Sequence, residues 1–200
     1  MISSSIIQWK CEQDVSMSLW HNWLYRRLLL MMTPAYWSIG VLDFCAGRDT
    51  PRRLRVGSMS CYVLFGQGHH EQENNTPTTF SAGTILTLDA SKTQTFECDT
   101  LARFVVLTSE APLGFNWVTH RLAPGSQMVG NAASCYLING TLLVRASGGD
   151  QKIESATAFS IAPQIEYTVE NIGKNDAQLI GIGIQATANY GANGAAFAQK

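Results

Sequence analysis

The feature that most constrains this chain is that it repeats itself. Residues 60–68, SCYVLFGQG, align with residues 134–142, SCYLINGTL, and a glycine falls at the same distance in each, Gly66 and Gly140. AGTILTLDASKTQTFE (82–97) aligns with SATAFSIAPQIEYTVE (155–170). There Thr84 meets Thr157, Leu86 meets Phe159, Leu88 meets Ile161, Thr95 meets Thr168 and Glu97 meets Glu170. LARFVVL (101–107) faces AQLIGIGI (177–184), and upstream VLDFCAGRD (41–49) faces VTHRLAPGS (118–126). Segments that match in the same order imply two copies of one structural unit.

The units read as β-structure. Their segments are short and rich in Val, Ile, Leu, Thr, Tyr and Phe, and TILTL (84–88) alternates strictly. Between them lie turn signals: Ala46-Gly47, Pro124-Gly125, Asn139-Gly140, Gly148-Gly149-Asp150 and the run from Gly173 to Asp176. Many short strands with regular turns point to sandwiches or barrels. Asn139-Gly140 fits a hairpin turn, but its repeat partner YVLFGQG has no Asn, which favours one strand bent at a glycine.

Domain boundaries follow from the repeat: an arm over 1–37, a first barrel over 38–110, a second over 111–187, joined near SEAPLGF (109–115), and a flexible Gly/Ala-rich tail over 188–200. The arm has no counterpart in the repeat. WHNWLYRRLLLMM (20–32) fits either a short helix or a strand that begins the first unit. Its Trp9, Trp20 and Trp23 suit packing over a barrel mouth or burial in a partner subunit.

Charged residues make up only 14% of the chain, against about 25% for an average domain, and the net charge is −1. That excludes a basic nucleic-acid footprint. With 46% hydrophobic content it implies extra buried surface, such as a homodimer interface. The longest aliphatic run, Leu28 to Met32, is far below the ~20 residues that span a bilayer, and MISSSIIQWK lacks a signal-peptide pattern. Cys11, Cys45, Cys61, Cys98 and Cys135 are scattered with no Cys-x-x-Cys pair, which fits buried thiols in a reducing cytoplasm.

The second unit resembles the cupin superfamily. APGS (123–126) is similar to the turn that opens the first cupin motif. SCYLINGTLLV (134–144) is similar to its Tyr-Val-Leu-x-Gly strand, and ATAFSIAPQIEYTVENIG (156–173), with Pro163 at its bend, to the second motif. The first unit is a weaker match of the same kind. The expected fold is all-β: two tandem cupin-like β-barrels with a short N-terminal extension. The resemblance also implies a metal site in each barrel, built from a His-x-His segment, a Glu and a final His. In the second unit those positions fall near Gln127 and Val129, on Ala133 and on Tyr167. In the first they fall near Arg53 and Arg55, on Met59 and on Gln94. None carries the family's ligand, and no His-x-His occurs in the chain. The expectation is no metal and no cofactor.

Three functions follow from that pattern. The first is a non-catalytic protein that binds a polar or anionic metabolite, through Arg53, Arg55 and Gln94 in one barrel and Gln127 and Tyr167 in the other. Against this, RDTPRRLR (48–55) also fits a solvated loop. The second is a metal-independent isomerase or lyase acting on a sugar or keto acid. Strand alternation places Val118, His120 and Leu122 on one face, where His120 could meet Tyr167 or Glu166 and work as acid and base. The third is a structural or interaction protein whose barrels are filled by side chains. His69 and His70, in GQGHHEQENN (66–75), read as part of a solvated hairpin loop.

Overall fold

A computed structural model describes residues 6–10, 17–20, 23–31, 37–49, 51–53, 58–73, 75–111, 113–130, 132, 134–161 and 165–186. Among them the regular structure is all strand. The arm contributes β1 (Ile6–Lys10), β2 (Met17–Trp20) and β3 (Trp23–Met31). The first unit contributes β4 (Trp37–Phe44), β5 (Gly47–Arg48), β6 (Arg52–Arg53), β7 (Ser58–Phe65), β8 (Gln67–Gln72), β9 (Thr78–Ser81), β10 (Ile85–Leu88), β11 (Thr93–Cys98) and β12 (Ala102–Ser109). The second contributes β13 (Leu113–Leu122), β14 (Gln127–Gly130), β15 (Ser134–Asn139), β16 (Thr141–Ala146), β17 (Gly149–Glu154), β18 (Thr157–Ile161), β19 (Tyr167–Asn171) and β20 (Ala177–Ala186). The tail over 188–200 lies outside the described residues. Among the described residues no helix is long and apolar enough to cross a membrane.

The repeat is visible in the topology. Each unit faces a large sheet against a small one. The first unit's large sheet runs β10-β7-β12-β4 and its small sheet β5-β11-β8-β9. The second unit's run β18-β15-β20-β13 and β14-β19-β16-β17. In each unit one strand crosses from large sheet to small at a glycine, Gly66 between β7 and β8 and Gly140 between β15 and β16. Both glycines have positive φ, 92° and 101°. A Cβ on Gly66 would sit 2.5 Å from Ala102, and one on Gly140 2.6 Å from Ala177. Only glycine allows both the backbone angle and the close approach. Asn139-Gly140 is therefore a bend in one strand run.

The arm is strand where the sequence left helix and strand open. β3 and β2 extend the first unit's large sheet beyond β4, while β1 pairs with β18 of the second unit. By adding a strand to one edge of each large sheet, the arm ties the two sheets together at one side.

Three apolar layers result. Leu42, Phe44, Met59, Cys61, Val63, Phe80, Leu86, Leu88, Phe96, Ala102, Phe104 and Val106 fill the first unit. Cys135, Leu137, Leu142, Val144, Ile153, Phe159, Ile161, Tyr167, Val169 and Leu179 fill the second. The third layer lies between the units, where the outer faces of the two large sheets meet. It holds Trp37, Ile39, Val41, Val105 and Leu107 from one side and Leu113, Trp117, Tyr136, Ala158, Ile180 and Ile182 from the other. β12 is thus buried on both faces, Phe104 and Val106 inward and Val105 and Leu107 toward the seam. Its unbroken run Phe-Val-Val-Leu fits that double burial, since an alternating strand would have put polar groups in one core.

Polar groups pin the seam. The Trp117 indole Nε1 donates to Ser60 Oγ at 2.8 Å, and Ser60 Oγ donates to the Leu86 carbonyl at 3.2 Å. Ser58 Oγ donates to the Ala111 carbonyl at 2.8 Å and accepts from the Leu113 amide at 2.9 Å. Ser60 is 2% exposed. In a Ser60→Ala variant the buried indole N–H loses its acceptor, and we expect a loss of about 1–3 kcal/mol of stability, read from the urea unfolding midpoint. An unchanged midpoint would mean that this bond does not hold the seam.

Candidate functional site

The place to look for chemistry is the interior of each unit, where the inward faces of the two sheets converge. In the second unit the space enclosed there is lined by His120, Met128, Gly130, Ala132, Cys135, Tyr167, Val169, Leu179 and Gly181. Its volume is about 10 Å³. A single water needs about 10–15 Å³, so the space as it stands is about the size of one water.

Tyr167 is what fills it. Tyr167 stands opposite Gly130 across the β14–β19 pair. A Cβ on Gly130 would lie 1.8 Å from the tyrosine ring, so the ring occupies the volume that a side chain at 130 would need. The hydroxyl donates to the Ala132 carbonyl at 2.6 Å, and the Cys135 thiol approaches it at 3.8 Å. Burial, with the neighbouring thiol, pushes the phenol well above its ordinary value. Burial likewise pushes the Cys135 thiol up to about 12. Both groups stay neutral, and the one phenol proton is committed to a carbonyl.

His120 and Tyr167 do line the same space, as the sequence suggested. Among the described residues no hydrogen bond joins them; the hydroxyl is taken by Ala132.

Gln127 is a correction. It is exposed, as is Val129, while Met128 and Gly130 line the interior. The assumed register was one residue out, and a shift of one residue turns every side chain of a strand to the opposite face.

The first unit solves the same problem differently. Gln94 takes the place that Tyr167 has in the second unit, and it is 1% exposed. Its Nε2 donates to the carbonyls of Asp89 at 2.6 Å and Lys92 at 3.1 Å. Those two acceptors fix the amide, so Oε1 faces His70, whose Nε2 donates to it at 2.8 Å. The His70 ring stacks on Phe96, with centroids 4.6 Å apart. Met59, where the resemblance implies a Glu, is buried in the same core.

His70 also corrects the sequence analysis. Residues 67–72 form a strand paired with β11 and β9, not a solvated loop. His69 faces out and His70 faces in, 3% exposed. The repeat held the missed signal: counting on from Gly66 and Gly140, His70 falls over Val144, a core residue of the second unit. Arg53 is exposed on the outside, with its side chain 69% accessible and 3.8 Å from Glu73, so it does not line the barrel. Its neighbour Arg52 is the one that stands opposite Gln94 in the strand pair. Arg55 and Ala133 lie outside the described residues.

The described residues of the two interiors offer a divalent cation a poor donor set. Among the described residues no three His, Cys, Asp or Glu side chains stand close enough to share one. The second interior offers one imidazole, a thiol kept protonated and a committed phenol, and the first offers an imidazole already bonded to an amide.

An open cleft of about 300 Å³ lies on the outer face of the first unit's small sheet, lined by Arg48, His69, Glu71, Pro77, Thr95 and Glu97. Arg48 crosses it, 2.9 Å from Glu71 and 3.3 Å from Glu97. All three side chains are about half exposed, so these ion pairs add little rigidity.

No protein-family model and no curated protein matches this chain. Solved structures do. AerE from Microcystis aeruginosa superposes with a TM-score of 0.72 at 12% identity, covering 86% of this chain and 97% of that one. A cupin 2 conserved barrel domain protein from Leptotrichia buccalis superposes at 0.58 with 13% identity, covering 88% and 99%. The chain has a cupin fold. A mutant of oxalate decarboxylase from Bacillus subtilis matches both units together, at a TM-score of 0.72 and 8% identity over 88% of this chain and 76% of that one. At such identities the cupin fold is what is shared, and the fold hosts many chemistries.

Burial holds the His70 pKa below its ordinary value, against an opposing effect of the Gln94 hydrogen bond. The unfolded chain then binds the proton more tightly than the native state. Stability is full above the unfolded value of about 6.5 and declines as pH falls through it toward the lowered native value. We expect the urea midpoint to drop between pH 7.5 and pH 5.5, and a His70→Gln variant, weaker at pH 7.5, to drop by less over that interval. Equal drops in both proteins would assign the effect to other groups.

Proposed function

We propose that this protein is a metal-independent cupin-fold module that works through its surfaces, as a structural or interaction protein, and that its barrel interiors are packing cores. The observation that carries this is the Tyr167 ring lying over Gly130, which leaves about 10 Å³ in the second unit. The first interior supports it with a cluster of Phe44, Phe80, Phe96 and Phe104, whose ring centroids are 4.7 to 6.3 Å apart. A ligand inside either unit would have to displace packed aromatic rings, and each such displacement costs a few kcal/mol.

Of the five residues the metabolite-binding alternative draws on, Gln94 and Tyr167 are buried, Arg53 and Gln127 are exposed, and Arg55 lies outside the described residues. The acid–base alternative needs a free Tyr167 hydroxyl, and Ala132 holds it.

The test is thermal unfolding of the whole chain with manganese, iron, zinc and nickel salts, and with a panel of sugars, keto acids and phosphorylated metabolites. A ligand that binds only the native state at 100 times its Kd stabilises by about 2.7 kcal/mol, which shifts Tm by several degrees. We expect no shift with any of them. A shift that is lost in Tyr167→Phe or Gln94→Leu would place a ligand in an interior and refute the proposal.

A further inference from the structure

The two units differ at the edges of their large sheets. β18 carries β1 along its outer edge, but its counterpart β10 ends its sheet. β4 carries β3, but its counterpart β13 ends its sheet. Each bare edge thus has a sister that already accepts an antiparallel strand. Both bare edges lie on one side of the molecule, because β13 packs on β7 through Trp117–Ser60 and Trp117–Tyr62, and β7 is the strand that pairs with β10.

β13 is long for an edge, ten residues. Proteins protect such edges with lysine, proline, bulges or brevity. Residues 113–120, LGFNWVTH, contain no charged Asp, Glu, Lys or Arg and no proline. The pairing of β13 with β20 runs without a bulge. Val118, at its middle, is 43% exposed. Among the described residues no strand pairs with the outer edge of β13.

We propose that this edge is where two copies of the chain join, β13 to β13 in antiparallel pairing about a two-fold axis. The strand is self-complementary. Paired about Val118, which meets its own copy at the axis, it sets Trp117 opposite Thr119, Asn116 opposite His120 and Phe115 opposite Arg121, each pair on one face of the sheet, so no like charges face each other. The join also continues an existing interface. Leu113, Phe115 and Trp117 of β13 already belong to the apolar seam, and half-buried Tyr62 and Phe115 sit at its border. A second copy would lengthen that seam across the axis and turn two large sheets into one. The proposal is independent of how the barrel interiors are used.

Sedimentation velocity on the whole chain tests it. Wild type is expected to sediment as a dimer. Val118→Lys places two lysines beside the axis and is expected to weaken association about 100-fold or more. Ile172→Lys, an equally exposed apolar site outside β13, is expected to stay dimeric. In hydrogen exchange on wild type, amides within 113–122 should gain protection as concentration rises. A wild type that stays monomeric at its highest soluble concentration overturns the proposal, as does a Val118→Lys protein that dimerises like wild type. If Val118→Lys fails to fold, the exchange experiment decides alone: protection of 113–122 that does not change with concentration overturns it.

Discussion

Everything in this molecule is arranged around the seam between its two large sheets. Neither sheet has a polar outer face, so neither unit can stand in water alone without exposing Trp37, Ile39, Val41, Val105 and Leu107, or their counterparts across the seam. Burying that layer is what lets a chain with so few charges remain one compact body. It also accounts for the low charge that the composition shows: the extra buried surface is first of all internal, between the repeats. The Trp117–Ser60 bond and the Ser58 bridge set the register of the two sheets, and the arm, pairing with both, closes the far side.

A duplicated unit offers the same interior positions twice, and the two copies have filled them by different means. In the second, a glycine gives up its volume to the tyrosine opposite, whose hydroxyl is satisfied by a nearby carbonyl. In the first, the same position holds a glutamine that would be costly to bury unpaired, and a histidine and two backbone carbonyls satisfy it. Both solutions leave polar groups paired inside an apolar core. Both also commit the polar atoms of Gln94 and the hydroxyl proton of Tyr167 to partners within the unit.

Most of the fold was legible because it is written twice. The Gly66–Gly140 match located the strand crossings, and the aligned runs located the large-sheet strands. What was not legible depends on single-residue phase. Gln127 reads as inward and lies outside because a strand has a period of two, and a count from a distant glycine slips by one. His70 reads as a loop residue because its polar neighbours mask a strand whose inner face is Gly68, His70 and Gln72. The arm's strands owe their form to edges supplied by β4 and β18, far away in sequence, so local pattern could not choose between helix and strand.

If the interiors are packing cores, as proposed, neither unit grips a cation. Crystals of the whole chain grown or soaked with manganese, and measured for anomalous scattering, address this directly. The account predicts that no anomalous peak appears inside either unit, with the Tyr167 ring still over Gly130. An ordered manganese peak beside His120 or His70, with Tyr167 or Gln94 swung away from its present partner, would contradict it.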